Sequence, residues 1–75
     1  MKGENTVGLY RYRIFKPGSL TKSERIAETR AEVEIPIPHG ENRIVCRYQG
    51  RKKLATYLVE RDMRGGVSWT QLANS

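Results

Sequence analysis

The chain has 75 residues, 37% of them hydrophobic and 29% charged, and its 14 Lys and Arg against 8 Asp and Glu leave a net charge of +6. That length admits one small domain, spanning residues 1–75, with a thin core. A single cysteine excludes an internal disulfide, and no apolar run nears the ~18 residues of a membrane span.

The N-terminus MKGENTVG has no signal-peptide core, so these absences read as a cytoplasmic protein. A basic balance favours anionic partners, nucleic acid before a membrane surface, although net charge also simply keeps small domains from aggregating. The charge is segregated. Residues 17–42 set Lys22, Arg25 and Arg30 against Glu24, Glu28, Glu32, Glu34 and Glu41, whereas residues 43–53 carry Arg43, Arg47, Arg51, Lys52 and Lys53 and no acid.

Met1–Asn5 reads as a disordered polar tail. Thr6–Lys16 alternates as a strand, with Tyr10, Tyr12 and Ile14 on one face and Arg11, Arg13 and Phe15 on the other. Pro17-Gly18 ends it. Ser19–Arg30 is ambiguous: Thr21 and Glu24 have capping-box spacing, but Leu20, Ile26 and Ala27 are too few for an apolar stripe. A short helix, or a loop into the next strand, fits this segment.

Ala31–Pro38, AEVEIPIP, has period two and is expected to be an edge strand. Val33, Ile35 and Ile37 point in, and Pro36 lacks the N–H that a central ladder needs. Residues 38–42 are a turn by composition.

The run from Asn42 to Arg61, NRIVCRYQGRKKLATYLVER, holds two β-rich segments around a cationic turn at Gly50-Arg51. A two-residue loop pairs Cys46 with Ala55 and Ile44 with Tyr57, giving an inner face of Ile44, Cys46, Ala55, Tyr57 and Val59. A three-residue loop instead brings Leu54 and Leu58 inside. Loop length decides the register. Arg51–Met63 can also be drawn as a helix stopped by Gly65-Gly66, although Thr56, Tyr57 and Val59 favour a strand. Val67–Leu72 reads as a last strand with Trp69 inward beside Val67, or as one helical turn capped by Ser68 and Gln71.

The fold class that follows is mainly β: a small antiparallel sheet or partly open barrel of about five strands with at most one short helix. The alternative, with Arg51–Met63 helical, is a ferredoxin-like β-α-β-β-α-β arrangement.

Chemistry-bearing residues are few. His39, the only histidine, sits in a proline-glycine turn, and Cys46 sits in a strand as a small hydrophobe. Glu28, Glu32 and Glu34 read as a solvated strand face rather than a catalytic carboxylate pair. With no metal-ligand spacing, no phosphate-binding glycine loop and no cofactor motif, the chain reads as a binding module, not an enzyme. The site expected from these residues is cationic: Arg11, Arg13, Phe15, Arg43, Arg47, Arg51, Lys52 and Lys53. Cations on a strand face contact phosphates, and an interleaved aromatic ring stacks on an unpaired base. RNA or single-stranded DNA is the partner this favours. The competing reading is a protein-interaction or regulatory module, homodimeric in one form.

Overall fold

The computed structural model describes residues 10–74. The expected tail at Met1–Asn5 and the start of the Thr6–Lys16 strand lie outside them. β1 (Arg11–Phe15) buries Tyr12 and Ile14, exposes Arg11 and Arg13, and leaves Phe15 half-buried, as its alternation predicts. The ambiguous segment resolves into a loop and a short strand, β2 (Arg25–Ala27), paired antiparallel to β1 with Tyr12 opposite Ala27. Thr21 and Glu24 start no helix; instead the Glu24 N–H donates to the Ile14 carbonyl at 2.6 Å.

The AEVEIPIP segment is the main correction. Its first half is a helix, α1 (Arg30–Glu34), not a strand. Thr29 is the N-cap, its Oγ1 accepting from the Glu32 N–H at 3.1 Å, while the Glu32 carboxylate accepts from the Glu28 N–H at 2.9 Å. This local network outcompetes the strand pattern. Pro36 and Pro38 then follow the helix, which proline cannot continue. Val33 and Ile37 remain buried, but Ile35 becomes the helix C-cap and is 74% exposed. Replacing Thr29 with Ala is expected to cost about 1 kcal/mol, read as a lower urea midpoint at unchanged slope. An unchanged midpoint would show that the cap adds nothing.

β3 (Asn42–Gln49) and β4 (Lys52–Arg61) form the hairpin, so Arg51–Met63 is not helical and the order is β-β-α-β-β-β. The loop is the two-residue one: Gln49 pairs with Lys52 around Gly50-Arg51, and Gly50 takes a φ of 62° that L-residues resist. A register shift between Arg47 and Tyr48 then moves every later pair by one. Arg47 faces Ala55, Val45 faces Tyr57 and Arg43 faces Val59. The expected inner set of β4 holds, but β3 turns Val45 inward and puts Ile44 and Cys46 on the opposite face. β5 (Val67–Ala73) pairs with β4, with Val67 and Trp69 half-buried on the inner face.

The sheet is open, with order β2-β1-β3-β4-β5 and every pairing antiparallel. Its inner face carries the core of Tyr12, Ile14, Ala27, Val45 and Val59, closed over by Val33 and Ile37 from α1 and the segment after it. Tyr57 and Trp69 extend this core in edge-to-face contact. No described element packs on the outer face.

Candidate nucleic-acid interface

Four arginines project from the strands onto the inner face, and each has a structural employment. Arg25 donates to the Glu32 and Val33 carbonyls at 2.8 and 2.6 Å. Arg61 donates to the Glu34, Ile37 and Gly65 carbonyls at 2.7, 2.8 and 2.7 Å. The last carbonyls of a helix have no partner within it, and α1 has no basic residue of its own in its last turn. Guanidiniums from β2 and β4 supply those donors. Burial disfavours the charged form of Arg25 and lowers its pKa, an effect Arg43 adds to and Glu24 opposes.

Arg43 is 7% exposed and sits between two carboxylates. It donates to Glu24 at 3.0 Å, to Glu41 at 3.1 Å and to the Asn42 carbonyl at 2.7 Å. Burial works against its charge, yet the bonds to Glu24 and Glu41 prevail and hold its pKa above the ordinary value. Arg47 lies over the rings of Tyr10 and Tyr57, at 4.8 and 5.7 Å from their centroids. Its buried Nε has no hydrogen-bond partner among the described residues, leaving the ring faces as its compensation. Arg43 and Arg47 therefore do not join the other predicted cations. They lie across the sheet from them, neutralised in one case and covered by aromatic rings in the other.

The outer face presents the rest. Cross-strand rows run Ile26–Arg13–Cys46–Thr56, Phe15–Ile44–Leu58–Thr70 and Arg11–Tyr48–Lys53. Arg11, Arg13 and Arg51 converge on a shallow depression of about 320 Å³ that Tyr48, Ile26 and Gly50 complete. None of these three arginines forms an ion pair among the described residues, and no described acid lines the depression. Lys53, opposite Tyr48, is on the same face, whereas Lys52 pairs with Gln49 at the hairpin tip on the other. Phe15 shares the face but not the depression, lying beside Ile44.

Tyr48 and Ile26 are the members that sequence reasoning missed. Tyr48 shares its parity with Ile44 and Cys46, so a reading that turned those residues inward hid it as well.

A larger depression, about 530 Å³, opens where β4 turns into β5 and is lined by Glu41, Glu60 and Asp62 with Arg61 and Met63. Its acids oppose an anionic ligand, and the Asp62 carboxylate already accepts from the Arg64 and Gly66 N–H groups at 2.9 and 2.8 Å. His39 is exposed against Gly65 near this end, while Cys46 sits well up the β3–β4 ladder, its Sγ 3.8 Å from Thr56 Oγ1. Glu32 serves the helix cap, and Glu34 accepts from Trp69 Nε1 at 2.5 Å. Among the described residues no group of three His, Cys, Asp or Glu could hold a metal ion, and no helix is long and apolar enough to cross a membrane. Set against known proteins, the chain matches no family model, no curated protein and no solved structure.

Proposed function

We propose that this protein is a non-catalytic module that binds RNA or single-stranded DNA on the outer face of its sheet. The observation that carries this reading is the depression where Arg11, Arg13 and Arg51 surround Tyr48 without a neutralising acid among the described residues. Arg11 and Arg13 alternate on β1, so their stems stand roughly 7 Å apart along the strand, a spacing comparable to that of successive phosphates on an extended single strand. Guanidinium forks hold phosphate oxygens, and the Tyr48 ring gives an unpaired base a face to stack on. Lys53 adds charge to the same side.

Replacing Arg11, Arg13 and Arg51 together with Ser is expected to leave the fold intact, because all three are exposed. It should weaken oligonucleotide binding and reduce the slope of log affinity against log salt by about two. The check is an amide-resonance titration with short single-stranded RNA and DNA at two salt concentrations. Absence of any shift at low salt would remove this reading, and so would a triple variant that binds like the parent. A second reading, protein association, is favoured by the 54% exposed Leu72 on β5, and it points to another part of the sheet.

A further inference from the structure

An edge strand shows alternate backbone N–H and C=O groups to solvent and recruits further strands unless brevity, charge or proline blunts it. The two edges of this sheet differ. β2 has three residues and lies among Lys22, Glu24, Arg25 and Glu28. β5 runs for seven residues, Val-Ser-Trp-Thr-Gln-Leu-Ala, without a charge or a proline, and its last four are exposed. It belongs to residues 65–75, the longest run free of Asp, Glu, Lys and Arg in a chain that is 29% charged.

We propose that β5 pairs antiparallel with β5 of a second copy, about a two-fold axis normal to the sheet, so that two five-stranded sheets become one. The strand is self-complementary in that arrangement. Centred on Thr70, it sets Thr70 against Thr70, Trp69 against Gln71, Ser68 against Leu72 and Val67 against Ala73. Every pair is neutral, and Thr–Thr pairs across strands are favourable. A chain of net charge +6 repels its own copies over much of its surface. Along β5 itself two copies meet without opposing like charges, and Arg30, which lies over the Trp69 ring at 4.2 Å, has the Glu34 carboxylate on the same indole. A neutral strand also offers no charge pattern by which to select a foreign strand, whereas the two-fold contact closes on itself and stops at two. The axis keeps both outer faces on one side, so each copy's Arg11–Arg13–Arg51 depression faces the same way.

The test is sedimentation of the full chain from micromolar to near-millimolar concentration. The parent should pass from monomer to dimer, with β5 amides gaining protection from hydrogen exchange as it does so. Thr70→Lys places two lysines face to face at the axis and should weaken association about tenfold or more; Thr70→Glu should do the same. An equimolar mixture of the two should restore a heterodimer at least as tight as the parent. Circular dichroism checks that each variant folds, and the double variant Ser68→Lys, Leu72→Lys, at two exposed positions that face each other across the axis, carries the same test should Thr70 variants unfold. A parent that stays monomeric throughout would overturn the proposal. So would a folded lysine variant that dimerises as well as the parent, or a mixture that fails to pair. None of these readings depends on nucleic acid.

Discussion

Replacing Arg61 with Met is expected to cost about 3 kcal/mol of folding stability. Methionine keeps much of the apolar stem but removes donors to the Glu34, Ile37 and Gly65 carbonyls. Charge-assisted bonds contribute about 1.5–3 kcal/mol each where they are shielded. These are part-buried, so water re-solvates some of the orphaned carbonyls and the loss falls short of three full bonds. Arg61 also ties β4 to residues 24 and 27 positions earlier in the chain, so its removal should loosen α1 and the Ile37 segment together.

A domain of this size has roughly 4–11 kcal/mol to lose. The melting temperature should therefore fall by more than about 10 °C. Urea denaturation followed by Trp69 fluorescence measures the change. Arg51→Met is the control: Arg51 is exposed at the hairpin tip and forms no described hydrogen bond, so it should change stability by no more than about 0.5 kcal/mol. If both variants were equally stable, Arg61 would not be the clamp that the geometry describes.

Ile37→Ala is expected to cost about 2–4 kcal/mol and Ile35→Ala less than about 0.5 kcal/mol. Both isoleucines belong to AEVEIPIP, and strand alternation assigns them the same inward face. The structure separates them. Ile37 is 2% exposed and packs with Val33 on the sheet, while Ile35 is 74% exposed at the helix C-cap. Truncating Ile37 removes buried methyl groups and leaves a cavity, whereas truncating Ile35 removes atoms already in water. Equal losses at the two positions, measured by the same urea titration, would restore the strand.

Much of the architecture was legible in local patterns. β1, β3, β4 and β5 lie where alternation and turn residues place them, and Gly50 closes the two-residue hairpin loop. Of the two alternatives for Ser19–Arg30 the loop into a strand is the one observed, and the helix falls in AEVEIPIP instead, because two segments share capping-box spacing and only Thr29–Glu32 sits where a helix can bury Val33 against the sheet. Half of the candidate interface was legible too. Arg11, Arg13 and Arg51 were named and do converge. Arg43 and Arg47 are expected to point outward because strand alternation opposes them to Ile44 and Cys46, and the exchange of the two faces of β3 turns both inward.

Composition and period-two patterning by themselves pointed to a mainly β, antiparallel fold and located four of its strands, β1, β3, β4 and β5, because side-chain alternation is a property of neighbouring residues. Only the tertiary structure decided which face of β3 is the inside. One extra residue at the bulge beside Arg47 exchanges the two faces of a strand, and no local pattern announces it. It also decided which cations are structural: a guanidinium can lie inward wherever carbonyls, carboxylates or aromatic rings from distant segments receive it. Those receivers, among them the Glu34 carbonyl 27 positions before Arg61, exist only once the chain has folded.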